Sequence, residues 1–173
     1  MKRRLNCSCG GRLVSATLDG VPLEPLFGLK GTVVGPLPGF RCDRCEETTF
    51  DGVVFQGLLF VVARFVLSQG RILRGEEARF LRKAVLASTQ EQLAERMGIH
   101  KITIVDWERG ERPLSKEHDY ELRGISLATL LKRAPAAQRR GLLAVAESIL
   151  AAPRTAPPPK RNVRHAIPAT EAA

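Results

Sequence analysis

The sequence predicts an α+β chain: a small β-rich module carrying four cysteines, then an all-α domain, then a disordered basic tail. Three observations carry that expectation. Residues 5–50 are rich in Gly and Pro and contain all four cysteines. Residues 75–134 space their apolar side chains at helical intervals, interrupted by Gly98 and Gly110. From residue 153 onward, five prolines are scattered among Arg and Lys with almost no apolar periodicity.

Composition sets the outer limits. A chain of 173 residues, 44% hydrophobic and 26% charged, suits one ordinary domain or two small ones. It excludes a polytopic membrane protein and a wholly disordered chain. The formal charge of +9 favours an anionic partner, nucleic acid first. That charge is not one face: residues 125–173 carry eight basic and two acidic side chains. The tail then reads as an electrostatic arm that adds non-specific phosphate affinity, or as a solubilising segment. Residues 1–4 are basic, but no apolar secretory segment follows them. A cytoplasmic location is expected, and cysteines there are metal ligands before they are disulfides.

In the module 1–50, the β-favouring runs 12–18 and 31–34 read as a small sheet with too little apolar mass for its own core, so a staple is expected. Cys7 and Cys9 form one pair and Cys42 and Cys45 another. Four thiolates can close a tetrahedral zinc site, each pair presenting two sulfurs from one tight loop. Gly10 and Gly11 give the first loop its freedom. That pair is one residue shorter than the usual knuckle spacing, which leaves its ligand geometry open. A redox dithiol and buried unliganded cysteines are the alternatives. A four-sulfur zinc site has no open position, so its role would be structural.

Residues 51–72 contain a nearly continuous apolar run. Asp51, Gln56 and Arg64 bound or interrupt it well short of the roughly 20 residues that cross a bilayer. It reads as a buried linker helix or a dimerisation surface, with no membrane partner expected.

In the domain 73–134, a helix over 76–87 puts Phe80, Leu81, Ala84 and Val85 on one face, bordered by Arg79, Arg82 and Lys83. Thr89 with Gln92 three residues later is a capping box that opens a second helix through Met97. Gly98 permits a sharp turn that Ile99 plugs. A third helix over 100–109 buries Ile104 and Trp107, and Gly110 stops it. Helix, short glycine turn, helix is the helix-turn-helix arrangement, whose second helix enters the major groove. Small Ala94 sits where the two helices meet. His118, Glu117, Asp119 and Glu121 read as a solvated charged loop. One more amphipathic helix, 135–152, precedes the tail 153–173.

The three histidines, His100, His118 and His165, show no ligand or base spacing, and there is no nucleophile elbow, phosphate loop or paired-histidine zinc motif. An enzyme is not expected.

The residues Gln90-Glu91-Gln92-Leu93-Ala94-Glu95, Gly98-Ile99 and Trp107-Glu108-Arg109-Gly110 resemble the Xre and phage-repressor class of helix-turn-helix domains, with a lambda-repressor-like fold. The stretch from Leu73 to Lys83, both cysteine pairs and the run from Gly39 to Glu47 resemble MqsA-type (YgiT-type) proteins. The likeness spans residues 5–124. It implies a dimeric, sequence-specific regulator of double-stranded DNA, a probable repressor with a structural zinc. Many relatives of this kind are type II antitoxins that repress their own operon and cover a toxin protein, which is the alternative reading.

By the same register, Lys101, Ile102, Thr103 and Asp106 are the base-contact candidates. Lysine suits guanine O6 and N7, isoleucine a thymine methyl, and aspartate cytosine N4, unless Asp106 only orients a neighbouring arginine. Gln90 at its helix start, with Lys83, Arg109 and Arg112, are the phosphate candidates.

Overall fold

The computed structural model describes residues 6–151 and 165–168. The N-terminal part contains β1 (Leu13–Leu18), β2 (Val21–Pro22), the short helix α1 (Glu24–Phe27), β3 (Gly31–Val34), β4 (Leu37–Cys42) and β5 (Thr48–Thr49). Strands β1, β4 and β5 form one antiparallel sheet, in which Leu13 stands opposite Cys42 and Leu18 opposite Leu37. That register brings the loop before β1 to the loop after β4.

Six helices follow: α2 (Gly52–Ser68), α3 (Gly75–Phe80), α4 (Gln90–Arg96), α5 (Lys101–Arg109), α6 (Lys116–Arg133) and α7 (Ala136–Ala151). The chain is thus α+β, with a β-rich beginning and a helical remainder. Asp51 caps α2, accepting from the Val54 amide at 2.8 Å. The apolar run of α2 is spent inside the chain: Leu58, Val62, Ala63 and Leu67 are fully buried. No described helix is long and apolar enough to cross a membrane.

The helix expected over 76–87 changes character midway. After Phe80 it continues as a π-helical turn, Leu81–Val85, closed by the Leu86 amide on the Leu81 carbonyl at 2.9 Å. Ala87 then takes a left-handed φ of 51° and ends it. Arg82, expected at the border of the apolar face, is turned inward by this wider turn and is 7% exposed.

One connected apolar core runs through both halves. Leu18, Leu23, Leu29, Val33 and Leu37 of the β-rich part join Leu58 and Phe60 of α2, Leu81, Leu93, Ile104 and Trp107 in it. The β-rich part therefore borrows apolar mass from the helices, which its own composition could not supply.

Two expectations are corrected. The charged stretch around His118 is the first turn of α6, not a loop: Ser115 caps it, and Asp119 is 2% exposed. Asp119 accepts from the Leu73 amide at 2.8 Å and from Arg123 Nε at 2.9 Å, so a donor from each of two segments holds its charge inside. Within the tail, residues 165–168 form β6 (His165–Pro168), parallel to β3 and completing a β2–β3–β6 sheet. Ile167 stands opposite Val33 and is 2% exposed, enough apolar anchorage for a four-residue edge strand that ends at Pro168. The rest of the tail, 152–164 and 169–173, lies outside the described residues.

Helices α3 and α5 approach so closely at Gly75 that an added Cβ would stand 2.0 Å from the Trp107 carbonyl oxygen. Backbone cannot yield there as a flexible side chain would. Gly75→Ala is expected to lower stability by about 1–3 kcal/mol; an unchanged urea midpoint would contradict the contact.

Candidate nucleic-acid interface and metal centre

The turn between α4 and α5 is built as its sequence requires. Thr89 Oγ1 accepts from the Gln92 amide at 3.1 Å, and the Gln92 side chain returns to the Thr89 amide at 2.9 Å. Gly98 adopts a φ of 62°, where a Cβ would be strained, and the Ile99 amide reaches back to the Ala94 carbonyl at 3.0 Å. Ala94 is 3% exposed between the two helices. Ile104 and Trp107 anchor α5 to the core, so the opposite side of this helix faces solvent on a rigid support.

The base-contact candidates divide. Ile102 is exposed at 57%, on the same face as Asp106 and Arg109 by helical spacing. Lys101 is exposed, and its ammonium is paired with Glu91; to reach a base it must release that carboxylate, a small cost for an exposed pair. Thr103 and Asp106 are half-buried. The Asp106 carboxylate forms no ion pair with a described arginine. Its backbone carbonyl instead accepts from Gly110, Glu111 and Arg112, closing the end of α5. His100 occupies the N-cap of α5 without a side-chain capping bond.

Beside α5 lies a groove of about 530 Å³, lined by Arg79, Lys83, Thr89, Gln90, Val105 and Arg109, with Arg82 and Glu108 in its wall. Arg82 grips Glu108 through two bonds, Nε to Oε1 at 2.5 Å and Nη2 to Oε2 at 2.9 Å, and donates Nη1 to the Ser88 carbonyl at 2.7 Å. Gln90 Nε2 also donates to Glu108 Oε2 at 2.9 Å. The single carboxylate in the groove is thereby compensated, which leaves Arg79, Lys83 and Arg109 as the outward charges. Three of the four phosphate candidates, Lys83, Gln90 and Arg109, line this groove together, although the Gln90 amide is committed to Glu108. Arg112 is exposed after α5 and does not line it. The Arg82–Glu108 pair escaped the sequence reading, because nothing in a spacing of 26 residues signals it.

At the other end of the chain, the sulfur atoms of Cys7, Cys9, Cys42 and Cys45 all lie within 4.8 Å of one another. The pairs meet crosswise, Cys7 with Cys45 at 3.6 Å and Cys9 with Cys42 at 3.5 Å. Zinc with sulfur at about 2.3 Å needs tetrahedron edges of about 3.8 Å, so the four donors fit a metal such as zinc. The shorter first pair contributes both sulfurs because the chain reverses sharply between Cys7 and Gly11, with the Cys7 amide on the Gly11 carbonyl at 2.9 Å. A Cβ on Gly11 would stand 2.5 Å from the Cys42 sulfur, inside the cradle. The amides of Cys45 and Arg44 donate toward Cys42 and hold its thiol down at about 7. Cys45, despite the Glu47 amide, is pushed up to about 12 by the neighbouring thiols and burial, so a metal binding here must displace thiol protons. Arg44 Nη1 donates to the Cys9 carbonyl at 3.2 Å, tying the two loops together. Bound there, zinc would supply cross-linking of the two loops and no reactive position.

A helix-turn-helix family model matches residues 86–118, the stretch from the end of the π-helical turn to the first turn of α6. No curated protein and no solved structure matches the chain. The chain carries a helix-turn-helix of a DNA-binding regulator class, together with a four-cysteine cluster suited to a metal.

Proposed function

We propose that the protein is a sequence-specific transcriptional regulator, a repressor of the MqsA type, that binds double-stranded DNA as a homodimer with α5 in the major groove. The observation that carries this reading is the solvent-facing side of α5, held rigid by Trp107 and Ile104 and flanked by a groove whose outward charges are all cationic. Ile102 and Lys101 would read base edges, while Lys83 and Arg109 would take phosphates. Zinc at the four cysteines would be structural. Leu143 and Leu150, exposed and seven residues apart on α7, offer an apolar stripe for the second subunit.

The test is a gel shift on the DNA upstream of the gene, across several salt concentrations and against excess random competitor. Discrete binding that survives competition is expected, with a salt slope reporting the phosphate contacts. Lys101→Ala and Ile102→Ala should each cost about 1–3 kcal/mol at individual bases. Equal operator binding by both variants would displace α5 from the recognition role. Binding erased by salt would place the operator elsewhere or assign the binding to the basic tail. The antitoxin reading, which also includes operon binding, is tested separately by pull-down of a toxin protein through the zinc module.

A further inference from the structure

Arg79 and Lys83 line a second groove, of about 560 Å³, as well as the one beside α5. Its apolar lining comes from three segments: Leu26 and Phe27 of α1, Phe55 and Leu59 of α2, and Ala84 of the π-helical turn. Phe27 is the hub of this surface. Its ring lies 5.5 Å from Phe55 and 5.4 Å, edge-on, from Phe80 beneath. Phe55 is 40% exposed, so an aromatic face remains open to solvent. Neither Arg79 nor Lys83 forms an ion pair with a described residue. The volume falls within the roughly 300–1,000 Å³ of small-molecule sites, which combine an apolar lining with a few placed polar groups.

We propose that this groove is an effector site for a small amphipathic monocarboxylate, an aromatic or branched-chain acid, lying on Phe27, Phe55 and Leu59 with its carboxylate on Arg79 and Lys83. Glu24 also lines the groove, so two cations face one carboxylate and a single negative charge balances the lining. Because the same two side chains line the groove beside α5, the effector competes with DNA phosphates for them. Linkage makes this antagonism mutual: the acid weakens DNA binding by the factor by which DNA weakens binding of the acid. The antagonism rests on the DNA-binding reading, whereas the site itself does not.

The experiment uses the zinc-loaded full chain and 4-phenylbutyrate as probe. Calorimetric titration should give one saturable site, with butyrate and 4-phenylbutanol, which lack the ring and the charge respectively, each at least about tenfold weaker. Phe55→Ala should weaken the probe about tenfold while leaving ligand-free DNA binding unchanged. Probe near the wild-type dissociation constant should weaken the gel shift of the wild-type protein clearly more than that of Phe55→Ala. No binding, or equal binding of all three compounds, would overturn the site. A concentration-dependent dimer abolished by Phe55→Ala would overturn it in favour of a second copy of the chain. Binding that leaves the gel shift untouched would overturn the antagonism. Absence of specific DNA binding in ligand-free protein would strike the regulator reading, and calorimetry would still decide the site.

Discussion

Arg123→Met is expected to destabilise the protein by about 3–5 kcal/mol, the cost of removing one partner from a buried ion pair. Arg123 is fully buried, and all of its nitrogens are engaged. Nε meets Asp119, Nη1 meets the carbonyls of Val66 and Leu67 at 3.1 and 2.7 Å, and Nη2 meets the Arg71 carbonyl at 2.7 Å. Burial pulls its guanidinium below the usual range, and the Asp119 charge opposes that pull. Without it, Asp119 keeps one described donor, the Leu73 amide. The carbonyls of Val66 and Leu67 at the end of α2 and of Arg71 beyond it each lose a donor, although Val66 keeps the Gln69 amide. Those carbonyls and Leu73 belong to the passage from α2 to α3, so the loss falls where the two halves of the chain join. Urea denaturation reads the effect. Asp119→Leu combined with Arg123→Met should recover part of the loss, since no unpaired charge then remains inside. A single-variant loss below about 1 kcal/mol would show the network to be dispensable.

The second large effect is expected on chelation of the metal. Apparent binding free energies of structural zinc reach about 10–16 kcal/mol in small domains, more than the whole stability of many folds. Here the consequence should be uneven. The loops around Cys7–Gly11 and Cys42–Glu47 are mostly exposed and lie outside the apolar core, whereas Leu23, Leu29, Val33 and Leu37 are buried in the core shared with the helices. Hydrogen exchange should therefore accelerate first at the two cysteine loops and later across β2 and β3. The helix-turn-helix should keep its protection longest. Metal analysis should find one zinc per chain. No zinc, with four freely titrating thiols, would end the assignment.

What was legible in the sequence was local. The capping box at Thr89, the positive φ at Gly98 and the inward faces of Leu93, Ile104 and Trp107 depend on residues within a turn or two of each other, and periodicity exposes them. The cysteine pairs were legible because thiolate chemistry is rare enough to stand out at any separation. The charges were harder. Glu77, fully buried between Arg71 and the Arg74 amide, and Asp119, Arg82 and Arg123 look in sequence like the solvated side chains around them. Only the fold decides which carboxylate meets which guanidinium. The same holds for residues 165–168, whose strand exists because β3 offers an edge.

That edge has a consequence for biosynthesis. Residues 31–34 are translated long before residues 165–168, which complete their sheet. At roughly 5–20 residues per second the interval is on the order of ten seconds. Throughout it the nascent chain carries an open strand edge near its front, free to pair with a neighbouring nascent chain or to engage a chaperone. Slowing elongation late in the message should therefore raise aggregation of this protein more than slowing it early.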